Sequence, residues 1–353
     1  MARVLMKGNE AFGEAAIRAG CKHFFGYPIT PQSELPHYLA KRLPEIGGLY
    51  LQAESELASI NMVYGAAAAG ARVMTSSSGP GISLMQEGIS YIACAELPCV
   101  VINVMRGGPG LGNIAPSQSD YFQATKGGGH GDYRMPVLAP ASVQEIFDLI
   151  GLAFDLAEKY RNPVMVASDG MLGQVMEPVE LGPRRETPLS PKPWATTGTA
   201  GRKSRNIINS LYIEPEELEK VNLRLQEKYR RIEAEEKRWE EYHTDDAVIV
   251  MAAFGMVARI AKAVVDRMRA DGIPVGLIRP ITLYPFPDAP FLKVLDKAET
   301  FLVVEMNAGQ MVEDVRLVLG NQRPVHFYGR TGGMLTTVAD VEARVREIWE
   351  GLK

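Results

Sequence analysis

The stretch from Tyr50 to Gly81, YLQAESELASINMVYGAAAAGARVMTSSSGPG, decides how the chain folds. It opens on a short apolar run and turns at two nearly adjacent acids, Glu54 and Glu56. A segment of helical length, rich in Ala and Gly, follows, and then a second strand-like run, ARVMT, that ends in serines, Gly and Pro. Strand, helix, strand and glycine turn is the unit of a parallel sheet, because parallel neighbours need a crossover of helical length between them. The Ala and Gly run leaves little but backbone to hold a neighbour away, so close packing is expected there.

Working outward, the same rhythm covers residues 1–176. NEAFGEAAIRAG is an amphipathic helix closed by Gly20, and KHFFGYP is a strand that ends in a turn. PCVVINVM and PVMVASDG are continuous apolar runs of strand length, as buried parallel strands require. Residues 177–246 differ. GPRRETPLSPKPWATTGTAGRKS is an irregular excursion. It leads into a charged helix that starts near Pro215 and carries Leu218, Leu225, Ile232 and Trp239 at seven-residue spacing. Lys228 and Glu235 fill the intervening heptad positions, so one narrow apolar seam is expected. Residues 247–353 return to alternation, with AVIVMAAFG, PVGLIRP and TFLVVEMN as strands and TVADVEARVREIWEGLK as the last helix. The fold class expected is α/β, a doubly wound domain and a second α/β domain joined by a connector.

Composition narrows the function. A formal net charge of −4 gives no electrostatic case for nucleic acid or an anionic membrane. No run approaches the roughly 18 apolar residues of a membrane span, and no apolar leader segment is read at the N-terminus. The three cysteines, Cys21, Cys94 and Cys99, form no CxxC, so neither a zinc site nor an iron–sulfur cluster is expected in this chain. A cytoplasmic protein is the expectation.

Several glycine-rich strings carry less than they promise. GGPGLG, Gly107–Gly112, does not fit GxGxxG, and neither GxxxxGK[ST] nor GxSxG occurs. TKGGGHGDYR, Thr125–Arg134, is either a loop over a pocket or a plain connector. Three other segments place chemistry at the ends of strands. Glu56 lies at a helix start, where it is either a working carboxylate or an ordinary acid of a first turn. GYPITPQSE presents Thr30 between two prolines, and INVMRGGPG sets Arg106 just beyond a buried strand. That is where ligands bind in doubly wound sheets, and a guanidinium suits a planar carboxylate.

Taken together, GYPITPQSE, QAESELASINMVYGAAAAGA, TSSSGPGISLMQEG and VINVMRGGPG resemble the 2-oxoacid:ferredoxin oxidoreductases, in the alpha-type subunit that carries their pyrimidine-binding domain. The likeness continues through GLIRPITLYPFP and LVVEMNAGQM. It implies a thiamine-diphosphate pyrimidine-type domain at 1–176, a connector at 177–246, and a transketolase C-terminal-like domain at 247–353. Glu56, set by its spacing to Gly65, matches the glutamate that binds N1′ of the cofactor's aminopyrimidine and activates it. Thr30 and Arg106 match the residues that bind the 2-oxoacid carboxylate, and Tyr27, Pro28, Ser77, Ser78 and Gly79 match positions lining the cofactor pocket.

The implied reaction is CoA-acylating oxidative decarboxylation of a branched-chain 2-oxoacid, 3-methyl-2-oxobutanoate, with reduction of ferredoxin. No GDG with following asparagines is present, and SDG, Ser168–Gly170, reads as a strand end. The resemblance therefore implies a partner subunit that holds the diphosphate and Mg²⁺, with iron–sulfur clusters on ferredoxin-like chains beside a gamma-type chain. Alternatives are the same chemistry on 2-oxoglutarate or an aryl pyruvate, or a non-catalytic scaffold. Glu305, at the end of a strand, is expected to serve subunit packing.

Overall fold

The computed structural model describes residues 3–182, 191–199 and 201–353. Part of the expected excursion, 183–190 and 200, lies outside the described residues. A seven-stranded sheet runs in the order Thr282–Tyr284, Val137–Leu138, Pro163–Asp169, Cys99–Met105, Val73–Ser77, His23–Gly26, Leu49–Gln52. Every pairing is parallel except the outermost, where Thr282–Tyr284 runs antiparallel to Val137–Leu138. Cys99–Met105 and Pro163–Asp169 are buried at every position, which is why their sequences show no alternation.

A five-stranded sheet follows, in the order Val325–Gly329, Thr300–Glu305, Ile249–Ala252, Val275–Pro280, Trp239–Tyr242, with only the last strand antiparallel. One apolar core runs from the first sheet onto the inner face of the second, through Phe254, Ile278, Phe301 and Val303. The outer face is covered by the helices Gly255–Ala270 and Val338–Leu352, through Val257, Ala261, Val264, Val341 and Val345. Arg3–Lys7 and Met176–Glu180 form a separate antiparallel ribbon.

Two sequence expectations need correction. The connector helix spans Pro215–Glu235 and stops before Trp239, which begins an edge strand. Strand pairing wins there because the Arg238 carbonyl accepts the N–H groups of Ile281 and Thr282, drawing the chain into the second sheet. The buried face of that helix is Val221, Leu225, Lys228, Tyr229 and Ile232, so Leu225 and Ile232 of the expected seam are inside, Leu218 is exposed, and Lys228 joins the buried face. The Ala and Gly run is closely packed only in part: Ala67 is fully buried and a Cβ on Gly70 would lie 3.0 Å from Ala195 Cβ. Gly65 is exposed and a Cβ there would meet nothing within 4 Å. The close approach comes from the partner helix Pro80–Cys94, where a Cβ on Gly88 would lie 2.6 Å from Ile60 Cγ2.

Candidate active site

Ser55 starts the helix Glu56–Ala68, its Oγ accepting the Ala58 N–H at 3.1 Å. That cap separates the two acids. Glu54 stays in solvent, whereas Glu56 is 6% exposed. An acid that merely decorates a first turn has no reason to be buried, since burial of an unpaired carboxylate is costly. No described residue donates a hydrogen bond to the Glu56 carboxylate. Its neighbour across the helix pair is Gly81, where a Cβ would fall 2.5 Å from Glu56 Oε1 and 2.0 Å from Ser77 Oγ. Only glycine allows carboxylate and hydroxyl to face one space.

The strand Val73–Ser77 is buried throughout, and it delivers Ser77 and Ser78 to that space. Both hydroxyls are buried without a hydrogen-bond partner among the described residues. Gly79 follows with φ +39°, a backbone that side chains avoid, and the Asp120 carboxylate accepts its N–H. Asp120 also accepts from Asn103 Nδ2 at 3.0 Å. Burial pushes the Asp120 carboxyl up from its ordinary range, while Asn103, the Gly79 N–H and the Arg106 charge pull it back. Asn103 pairs with Ser77 across the sheet, and its Oδ1 remains unpartnered.

Arg106 ends the next strand over and is 7% exposed. Its Nη1 donates to the Thr30 carbonyl at 2.9 Å, its Nη2 donates to the Leu111 carbonyl at 3.0 Å, and its Nε is buried and free of partners among the described residues. The YPITP turn and Arg106 therefore meet through the Thr30 backbone. The Thr30 side chain, Tyr27 and Pro28 are exposed at the mouth. Gly79 lies against the same arginine, a Cβ there reaching 3.7 Å from Arg106 Cγ. The fold thus brings Glu56, Ser77, Ser78, Gly79, Arg106 and the Thr30 turn to one corner, at the carboxyl ends of parallel strands.

Four members of this corner escape a reading of the sequence: Gln32, Asn103, Asp120 and Gly81. Gln32 is fully buried, accepts from Ser76 Oγ at 2.6 Å, and keeps an unpartnered Nε2. The available signal was a polar residue inside an apolar strand, as Asn103 stands in CVVINVM. Ser168–Gly170 takes a structural part. Asp169 caps the helix Gly170–Gln174 through the Leu172 N–H and also accepts the Met256 N–H at 2.9 Å. Thr125–Arg134 packs back on the chain, with Gly128 against Gln86, and lines a cavity of about 710 Å³ facing the connector helix. No helix of the described residues is long and apolar enough to cross a membrane.

A largely parallel seven-stranded sheet joined to a second α/β sheet is thus the architecture of the chain. A split-gene transketolase shares it at 15% identity, with a TM-score of 0.57 over 97% of each chain, a likeness of fold alone. Residues 14–247 match the family described as pyruvate flavodoxin/ferredoxin oxidoreductase, thiamine diphosphate-binding, and residues 247–341 match the pyruvate:ferredoxin oxidoreductase core domain II. The chain belongs to this 2-oxoacid:ferredoxin oxidoreductase family. It is 52% identical to the ketoisovalerate oxidoreductase subunit VorB of Methanothermobacter thermautotrophicus, over 99% of this chain and 98% of that one. It also superimposes on the 2-oxoglutarate:ferredoxin oxidoreductase of Magnetococcus marinus, solved with 2-oxoglutarate, coenzyme A and succinyl-CoA, at a TM-score of 0.89 and 30% identity. That match covers 98% of this chain, which spans 65% of the Magnetococcus chain.

Proposed function

We propose that this chain supplies the activating carboxylate and the substrate-side arginine of a CoA-acylating 2-oxoacid:ferredoxin oxidoreductase that acts on 3-methyl-2-oxobutanoate. The observation that carries this reading is Glu56, buried and bare, facing the orphaned hydroxyl of Ser77 across Gly81. An aminopyrimidine fits such a corner, because it brings ring nitrogens to a carboxylate and an amino group to unpaired acceptors. Thiamine diphosphate, when bound, supplies the electron sink for decarboxylation.

Glu56 holds a proton at N1′ of the pyrimidine and so acts as the general acid–base group of cofactor activation. Ser77, Ser78 and Gly79 line the same face, and Tyr27 and Pro28 close its mouth. Arg106 and Thr30 receive the substrate carboxylate, the guanidinium keeping one buried donor, Nε, without a partner among the described residues. The products are acyl-CoA, carbon dioxide and reduced ferredoxin.

The remainder of the cofactor site belongs to a partner. Leu57, Leu84, Leu111 and Ile114 are exposed around Glu56, Gly81 and Arg106, an apolar rim of the kind that marks an interface. The partner assigned to it is the diphosphate-binding subunit with Mg²⁺, in a cytoplasmic complex with gamma-type and cluster-bearing ferredoxin-like chains. Residues 1–176, 177–246 and 247–353 serve in it as pyrimidine-binding domain, connector and transketolase C-terminal-like domain.

The reconstituted complex, assayed across a panel of 2-oxoacids, tests this reading. The expected kcat/KM is highest for 3-methyl-2-oxobutanoate, and the isolated chain is inactive. A preference for 2-oxoglutarate would overturn the substrate, and activity from the single chain would overturn the shared site. The branched-chain reading is favoured by 52% identity to a ketoisovalerate oxidoreductase subunit, against 41% to the 2-oxoglutarate synthase subunit KorA of Archaeoglobus fulgidus.

A further inference from the structure

We propose that the second sheet and its helices set the position of Arg106, and that Gln118 is the positioning residue through which they do so. This rests on the reading of Arg106 as the carboxylate ligand. The loop that leaves Arg106 is closed back onto it. Gly107 N–H donates to the Ala115 carbonyl at 2.9 Å, Asn113 N–H donates to the Gly107 carbonyl at 2.9 Å, and Arg106 itself bridges to Pro116. Within that ring the Leu111 carbonyl accepts Arg106 Nη2. Any displacement of the ring therefore moves an acceptor that orients the guanidinium.

The ring is held only in part by its own bonds, among them that from the Ala115 N–H to Asn113 Oδ1 at 2.9 Å. It contains Gly107, Gly108, Gly110 and Gly112, and two of them adopt positive φ, so its intrinsic conformational freedom is large. Leu111 and Ile114 are exposed, which leaves it without an apolar anchor of its own. Its fixed points outside itself lie on the segments that follow two strands of the second sheet. Asn113 Nδ2 donates to the Gly332 carbonyl at 2.7 Å, and Ser117 Oγ donates to the Met306 carbonyl at 3.0 Å.

Gln118 makes the densest connection and is fully buried. Its N–H donates to the Met306 carbonyl at 3.0 Å and its Oε1 accepts the Met306 N–H at 3.1 Å. Its Nε2 donates to the Phe254 carbonyl at 2.9 Å, and its own carbonyl accepts Asn307 Nδ2 at 3.0 Å. All its polar groups are thus directed at the second sheet, two residues before Asp120 meets Gly79 and Asn103. Gly255 makes room for this contact, since a Cβ there would sit 3.0 Å from Gln118 Nε2. The second sheet and its helices thereby acquire a role in catalysis, as the template for the arginine.

The test uses the assembled complex carrying Gln118→Met, Asn113→Ala or Arg106→Met. Gln118→Met keeps length and loses the side-chain hydrogen bonds; Asn113→Ala removes the exposed anchor to Gly332 together with the bond from the Ala115 N–H inside the loop. Gln118→Met and Asn113→Ala are each expected to raise KM for the 2-oxoacid about five- to tenfold, the worth of about one hydrogen bond, with kcat within about twofold; Arg106→Met raises KM further, because it removes the charge itself. Thiamine diphosphate affinity, titrated directly, is expected to stay at the parent value. An unchanged KM in a Gln118 variant that assembles, or a loss of cofactor affinity equal to the loss of kcat/KM, overturns the proposal. Should Gln118→Met fail to assemble, Gln118→Glu, which keeps the acceptor for the Met306 N–H and loses the donor to the Phe254 carbonyl, decides in its place. If Arg106→Met leaves KM unchanged, the carboxylate reading fails; if Arg106→Met raises KM and the two loop variants do not, only the positioning role fails.

Discussion

Glu56 and Glu305 are two buried acids set at equivalent places, at the end of a parallel strand and near the start of a helix. They differ in what their own chain gives them. Glu305 accepts the N–H groups of Met311 at 2.8 Å, Val312 at 3.0 Å and Gln310 at 3.2 Å, together with Asn307 Nδ2 at 2.8 Å. Burial pushes its carboxyl up, and those donors pull it back. Glu56 has no such donors, and beside it Ser77 Oγ and Ser78 Oγ go unpaired. Buried polar groups are ordinarily satisfied, so an acid saturated by its own backbone is a cap, and a bare one among orphaned hydroxyls is built for a ligand. The expectation that Glu305 serves subunit packing gives way to this cap within the chain.

Exchanging carboxylate for amide at each position is the sharpest way to break the comparison. Glu56→Gln keeps shape and removes no hydrogen bond of the chain, so assembly and unfolding temperature should match the parent. Turnover of the complex should fall about a thousandfold or more. Turnover within tenfold of the parent would make Glu56 a passive residue and favour the scaffold reading. Glu305→Gln should do the reverse. The amide turns an NH₂ toward backbone donors, at a cost of about 2–3 kcal/mol in urea unfolding, while kcat of the folded complex changes far less than in Glu56→Gln. A stability equal to the parent would show that the cap is idle.

Gly81→Ala tests the space between the two sides of the open corner. The added methyl meets Ser77 Oγ and Glu56 Oε1, both at the ends of side chains that can turn away, so the fold should survive. Displacing the carboxylate by a fraction of an ångström to an ångström should lower kcat/KM by about 10- to 100-fold, with weaker thiamine diphosphate binding in a direct titration. Parent-like kinetics would mean that the corner is wider than the glycine implies.

What the sequence revealed, and what it concealed, follows from the same physics. CVVINVM and PVMVASD are legible because strands covered on both faces are apolar at nearly every position. Trp239–Tyr242, Thr282–Tyr284 and Val325–Gly329 are short edge strands, most of their residues half-buried, and their pairing is decided by distant carbonyls such as that of Arg238. Glu56 and Arg106 were legible through motif and position. Asn103, Gln32 and Asp120 were not, because a polar residue in an apolar strand reads the same whatever it serves. Their partners lie 17 and 44 residues away in the chain.

Lys228 supplies the smallest effect and an intermediate case, a buried charge with part of its complement. Its Nζ lies 3.4 Å from Glu96 Oε2 and 3.2 Å from the Arg161 carbonyl, inside the connector helix's packed face. Burial pulls the ammonium down to about 8; Glu96 opposes this, and Arg161 and Arg224 add to it. The folded value lies below the roughly 10.4 of an unfolded lysine, so the folded chain releases this proton first. Relative to Lys228→Met, the parent should therefore gain stability as pH rises from about 8 to about 10, by on the order of 1–3 kcal/mol. Other titrating groups are common to both chains and cancel in the difference. Urea midpoints of parent and Lys228→Met at pH 7, 8, 9 and 10 measure it, and a gap that stays flat would mean that Glu96 fully compensates the buried charge.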